Sequence, residues 1–222
     1  MKIESLKVSF VLLFLTTLLV STKANAAEDF LGLKGNAYIG LDHISSEVDH
    51  TYEGNPNNDP DRSRLEKRSH KGYGVNLGYK VAKSNIFIAP EVFYEYLNNT
   101  ARDFYHDSAA SGDNLEVKTR RGAKLNLGYT FFDKLDVSVN YGFAAARFRQ
   151  NIASYSDFYS FRKAGRIYGV SVAYEIYKNL DLRLAYDMHK IDPMYDRNYT
   201  NDGDKRDHIA IQTAKIGLVY NF

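Results

Sequence analysis

His43-Ile44-Ser45-Ser46-Glu47 sets a histidine, a hydroxyl and a carboxylate two residues apart, so in an extended chain His43, Ser45 and Glu47 share one face. These are the residue types of acyl transfer, a nucleophile beside a base that an acid orients. Shared facing is only the first geometric requirement of such chemistry, and polar residues are ordinary where a strand enters a connection. Asp187 and His189 stand at the same interval, where a structural hydrogen bond is the plainer expectation. The histidines His43, His50, His70, His106, His189 and His208 are scattered and cysteine is absent, so no metal-ligand spacing is met. Asn201-Asp202-Gly203-Asp204 misses the spacing of a calcium loop. No catalytic residue, metal or cofactor is expected.

A larger set of charged residues alternates with apolar ones, and the elements that hold them read as strands of period two. Strand one, about 33–44, sets Leu33, Gly35, Ala37, Ile39 and Leu41 against Lys34, Asn36, Tyr38, Gly40 and Asp42. Strand two, about 72–81, carries Tyr73, Val75, Leu77, Tyr79 and Val81 on its apolar face and Lys80 on the other. Strand three alternates Ile86, Ile88, Val92, Tyr94 and Tyr96 with Phe87, Ala89, Glu91, Phe93 and Glu95. Pro90 within it removes a ladder donor and predicts a bulge or weakened pairing. Strand four opposes Val117, Thr119, Ala123, Leu125, Leu127 and Tyr129 to Lys118, Arg120, Gly122, Lys124, Asn126 and Gly128. Strands five, six and seven follow around Val137, Val170 and Leu182, with Asp136, Glu175, Arg183 and Asp187 on their polar faces, and strand eight carries Lys215.

Long polar connections, at about 45–71, 98–115, 150–163 and 190–208, alternate with short turns around Lys83, Asp133 and Asn179. That asymmetry, with strands of roughly ten residues, fits an all-β, eight-stranded antiparallel transmembrane up-and-down barrel with long loops on one side. The polar faces are rich in glycine, at Gly40, Gly74, Gly78, Gly122, Gly128, Gly142, Gly169 and Gly217. A narrow barrel interior needs such small residues between large ones, whereas a solvated sandwich face does not. Lys34, Asp42, Lys80, Glu91, Glu95, Lys124, Asp136, Glu175, Arg183, Asp187 and Lys215 are therefore expected inside, paired in a polar plug. Tyr79, Tyr129, Tyr174 and Tyr220 end the even strands beside the short turns, and with Phe222 form a membrane-interface girdle.

The leader agrees. Lys2 and Lys7 precede the apolar run Val8–Val20, and Ala24-Asn25-Ala26 offers a cleavage site, so residues 1–26 read as a secretory signal peptide and 27–222 as the barrel. Its removal takes Lys2, Lys7 and Lys23 from 29 basic residues and Glu4 from 27 acidic ones, leaving 26 of each. A balance of zero supports no nucleic-acid partner. Mean hydropathy is −0.42, and no later apolar run is long enough for a spanning helix.

The last strand, Ala210–Phe222, alternates to its end with Ala214, Ile216, Leu218, Tyr220 and Phe222 on one face. It resembles the closing strand of bacterial outer-membrane barrels, whose terminal aromatic serves as an insertion signal. With the strand pattern of 33–222, the chain resembles the small opacity-type, OmpA-like eight-stranded surface proteins, and Asn85–Asn98 is similar to rickettsial-type members. The resemblance implies a cell outer membrane location, insertion by the barrel-assembly machinery, and contact with outer-membrane lipids and lipopolysaccharide. It also implies a surface antigen or adhesin that meets a host extracellular protein through its loops. The candidate surface is Arg62, Arg64, Lys67 and Arg68 in the first loop, Tyr155, Phe158, Tyr159 and Phe161 in the third, and Lys205 and Arg206 in the fourth. A structural barrel without a specific ligand is the alternative. A lipid A-modifying enzyme is a lesser one, because lipid A deacylases carry their His-x-Ser pair late in the chain with the acid on a neighbouring strand, whereas His43, Ser45 and Glu47 are early and on one strand.

Overall fold

The computed structural model describes residues 33–53, 70–102, 114–151, 158–194 and 206–222, and every regular element in them is a strand. The order is β1 (Lys34–Glu53), β2 (His70–Lys83), β3 (Ile86–Arg102), β4 (Asn114–Phe131), β5 (Leu135–Asn151), β6 (Phe158–Tyr177), β7 (Leu180–Met194) and β8 (Arg206–Asn221). Each strand pairs antiparallel with the next, and β8 returns to β1, closing the barrel. Closure leaves no unpaired edge, which hydrocarbon would not tolerate. Residues 1–32, which include the expected leader, and the middles of the long connections lie outside the described residues.

Short turns close one end of the barrel. Ser84, Phe132, Asp133 and Asn179 adopt positive φ there, at 54°, 53°, 58° and 65°. The last residue is tied in as well: the Phe222 amide donates to the Ala37 carbonyl at 3.0 Å, and the Asn221 amide to the Asn179 carbonyl at 2.8 Å. Beside these turns the outward face of every strand is apolar, with Leu41 66% and Val139 58% exposed. In a sandwich those side chains would be the core; here the barrel turns them outward and gathers the polar face inside.

The strands run further than the alternation alone predicts. β1 has 20 residues and β6 has 20, about twice what a tilted strand needs to cross a bilayer. Parts of the ranges read as loops (45–53, 98–102, 158–163 and 190–194) are therefore strand. Pro90 produces no shift of register. It keeps its pairing with Leu125 on β4, while the β2–β3 ladder passes from Gly78↔Glu91 to Val81↔Ile88, so pairing is interrupted opposite the proline. The irregularity lies higher, where the β3–β4 register shifts between Tyr96 and Asn99 and the β4–β5 register between Val117 and Thr119. Asn98 takes positive φ, 44°, at that step. The extra residue inverts the phase of β4, so Val117, expected on the outer face with Thr119, points inward and is fully buried.

Candidate functional site

The middle of the barrel is filled by charge. Arg120, Lys124, Arg183 and Lys215 meet Asp42, Glu91, Glu95 and Asp187, four cations against four carboxylates, in one connected network. Arg183 donates to Asp42 Oδ2 at 2.5 Å and to Glu91 Oε2 at 3.1 Å. Lys124 Nζ stands 3.4 Å from Glu91 and 3.3 Å from Asp187, linking that group to the next. Lys215 then bridges Asp187 at 2.6 Å and Glu95 at 2.5 Å, and Arg120 Nε donates to Glu95 Oε2 at 2.6 Å. Neutral donors complete the shell: Tyr38 to Glu91, Asn76 to Asp42 and Asn140 to Asp187. Buried charges persist only when paired and hydrogen-bonded in this way, so the network acts as a solid polar plug.

Glycine makes room for it. A Cβ on Gly217 would meet Asp42 Oδ1, and one on Gly78 would meet the Tyr38 ring and hydroxyl. Below the network, toward the turns, Lys80 pairs with Asp136 at 2.5 Å, and Asp181 accepts from Asn221 at 2.9 Å. These groups line a small cavity with Tyr38, Phe87, Asn126 and Arg183, open to water at the turn end.

Above the network both faces of the sheet change character. Inside, Ile44, Val48, Leu97, Val117, Phe148, Ile191, Ile209 and Ile211 form an apolar cluster, with Ser46 and Asn99 hydrogen-bonded to each other at the same level, and Phe161 stacks on Phe148 at 5.2 Å between centroids. Outside, the same stretches carry Ser45 on β1, Arg147 on β5, Arg162 and Arg166 on β6, and Lys190 on β7, all exposed, with Glu47 half-buried on β1. The half toward the turns is apolar outside and charged inside; the far half is polar outside and apolar inside. That inversion marks where lipid contact ends, because an outer face in water no longer needs apolar residues and an inner face without ion pairs no longer tolerates charge.

Of the charges expected inside, Asp42, Glu91, Glu95, Lys124, Arg183, Asp187 and Lys215 are buried, whereas Lys80, Asp136 and Glu175 are half-buried near the turns. Lys34 has the inward phase but is exposed, since β1 begins there at the rim. Arg120 is absent from the charges expected inside, yet it is fully buried at the centre of the network. Its position on the polar face of β4, four residues before Lys124, is the signal that could have found it. Asp187 takes its bonds from Lys215, Lys124 and Asn140, and His189 is not among its partners. His43, Ser45 and Glu47 do share the outer face of β1, and the His43 ring meets Tyr73 edge-on at 5.4 Å.

Tyr129, Tyr174, Tyr220 and Phe222 are exposed at the turn end, and Tyr79 is half-buried. Asn85 donates to the Tyr129 hydroxyl at 3.0 Å, and Tyr220 packs edge-on against Phe222. Among the candidate loop residues, Phe161 is no loop aromatic: β6 carries it on the inward phase, and the apolar cluster holds it. Phe158 and Tyr159 belong to β6 and Arg206 begins β8, while Arg62, Arg64, Lys67, Arg68, Tyr155 and Lys205 lie outside the described residues.

Solved structures of outer-membrane proteins are similar to this chain at low identity. The outer membrane protein OprG from Pseudomonas aeruginosa is 11% identical with a TM-score of 0.52, over 84% of this chain and 96% of its own. Ail, the attachment invasion locus protein of Yersinia pestis, solved with the heparin analogue sucrose octasulfate, is 12% identical with a TM-score of 0.49, over 85% and 99%. The outer membrane protease OmpT from Escherichia coli is 10% identical with a TM-score of 0.46, over 85% and 96%. No curated protein matches the sequence. The family described as outer membrane protein beta-barrel domain matches residues 11–222, and together with the closed eight-stranded barrel this places the chain in that family.

Proposed function

We propose that the protein is a non-enzymatic anchor in the outer membrane that presents its long connections to extracellular ligands, in the manner of an adhesin. The observation that carries this reading is the doubly stopped interior. A neutral ion-pair network fills the middle and an apolar cluster fills the outer half, so the barrel is built to hold rather than to conduct. The connections at 54–69, 103–113, 152–157 and 195–205 all leave from the end opposite the short turns. Loops on a rigid scaffold are where binding residues concentrate, and Arg62, Arg64, Lys67, Arg68, Tyr155 and Lys205 fall within these. In this orientation the turns face the periplasm, residues 1–26 are removed on export, and Tyr79, Tyr129, Tyr174, Tyr220 and Phe222 sit at the inner interface.

The test is to display the full chain on a non-adherent Gram-negative cell and count attachment to cultured mammalian cells. Companion chains have 54–69, 103–113, 152–157 and 195–205 replaced by short turns. Attachment by the full chain alone, with all chains shifting mobility on a gel when heated, is the expected result. Equal attachment by the shortened chains rules loop presentation out, and no attachment by any chain favours a purely structural barrel.

A further inference from the structure

Above the apolar band, opposite walls of the barrel carry opposite charge. Arg147 on β5 pairs in register with Arg162 on β6, and Arg166 on β6 with Lys190 on β7, so cations stand across the ladder from cations. All four are exposed. Like charges in that arrangement repel. Among the described residues none of the four has a carboxylate partner; Arg147 donates to the Ser160 hydroxyl at 3.2 Å, and Lys190 lies over the Tyr168 ring. On the far wall the outer phase of β1 presents Glu47 and Asp49, both half-buried, and Glu47 has no cation partner among the described residues. Lys71 on β2, opposite Ser45, stands at the edge of that acidic face.

The two faces are diametrically opposed, because β1 and β5 are four strands apart either way round the ring. They are also level. Traced from Ala37 on β1 through Leu125, Tyr141, Tyr168, Met188 and Gln212, the register returns to β1 at Glu47, ten residues further along the strand. A closed barrel spreads that stagger evenly, about five residues at the opposite strand. Tyr141 is the β5 residue on Glu47's ladder line, so the height of Glu47 falls about five residues further toward the loops, beside Arg147. Both faces have low floors: Ala145 and Ala164 face each other between the cation pairs, and β8 presents Ala210, Gln212 and Ala214 beside the acids.

We propose that each of these faces binds the other on a second copy of this chain, so that barrels associate side by side in the membrane plane. Glu47 and Asp49 of one copy meet the Arg147–Arg162 and Arg166–Lys190 pairs of the next, and the alanine floors let the walls approach. Because the two faces differ and lie on opposite walls, the contact is heterologous and repeats as an open row instead of closing as a pair. Exposed ion pairs are individually weak and screened by salt. A bilayer holds both copies upright at one depth, which aligns several pairs at once. The contact is on the barrel wall and is independent of whether the loops bind a host ligand.

The experiment uses the complete barrel chain, residues 27–222, reconstituted in phosphatidylcholine vesicles, which carry no net charge to compete for either face. The chain has no cysteine, so engineered ones report contacts without background. Gln212→Cys, beside Glu47, and Ala164→Cys, between the cation pairs, are given tags of different size, mixed and oxidised, and heat-dependent gel mobility verifies that each is folded. The mixed 212–164 disulfide is expected to exceed the 212–212 and 164–164 products by about fivefold or more, and to fall toward them as salt is raised. Adding Glu47→Arg to the first chain should reduce the mixed product to their level, and Arg162→Glu in the second chain should then restore part of it. Equal yields of the three products overturn the proposal. So does a mixed product that neither salt nor Glu47→Arg reduces.

Discussion

Arg183 and Asp42 meet inside the barrel at 2.5 Å, although β8 separates the strands that carry them. The same guanidinium reaches Glu91 on β3 at 3.1 Å, so one side chain ties three strands that are not neighbours in the ladder. A barrel with such cross-members resists flattening, and its wall stays rigid under the connections it holds.

Removing one partner from the network strands the others. Glu95→Gln leaves Arg120 and Lys215 short of a carboxylate where both are buried. We expect a loss of about 3–5 kcal/mol, read as a lower urea midpoint for unfolding from lipid vesicles. A change within error would mean that water already solvates this layer.

The small residues are tested at Gly78, where a Cβ would strike the Tyr38 ring. Gly78→Ala should destabilise by about 1–3 kcal/mol, and adding Tyr38→Leu should recover part of that. Heat-dependent gel mobility of the single and double variants measures it. Additive losses in the double variant would contradict the interlocking.

In the apolar cluster, Phe148→Ala should cost about 3–5 kcal/mol, because Phe148 is fully buried and stacked on Phe161. In planar bilayers the variant should remain electrically silent, since the ion network below it is intact. Channel openings in this variant alone would make the apolar cluster the barrier.

The change of surface along the strands can be mapped by arginine. Val139→Arg, in the exposed apolar band, is expected to cost about 2–4 kcal/mol, and Gln212→Arg, near the upper margin, about 0–1. Folding yield into phospholipid vesicles over a urea series distinguishes them. Equal costs would displace the lipid boundary from the level of the inversion.

Much of the fold is legible in the chain because alternation is a local property: successive side chains of a strand must point to opposite faces. Leu125, Leu127 and Tyr129 therefore face outward, and Lys124 and Asn126 inward, whatever strands lie beside them. The expectation fails where the environment changes while the strand continues. In β1 the apolar phase passes from Leu41 outside to Ile44 and Val48 inside, which reads in sequence as the end of a pattern. Phe161 looks like a loop aromatic for the same reason. Val117 is turned inward by one added residue at a register shift, whose position depends on how β4 meets both neighbours.

Strand faces, the alternation of long and short connections, and the closed barrel that follows from them all rest on spacing along the chain, so the amino-acid sequence suffices to set them. Which charge neutralises which, that Arg120 stands at the centre, and that Arg147 faces Arg162 on the outer wall are matters of register. Those relationships join residues far apart in sequence, and they exist only once closure brings the strands together.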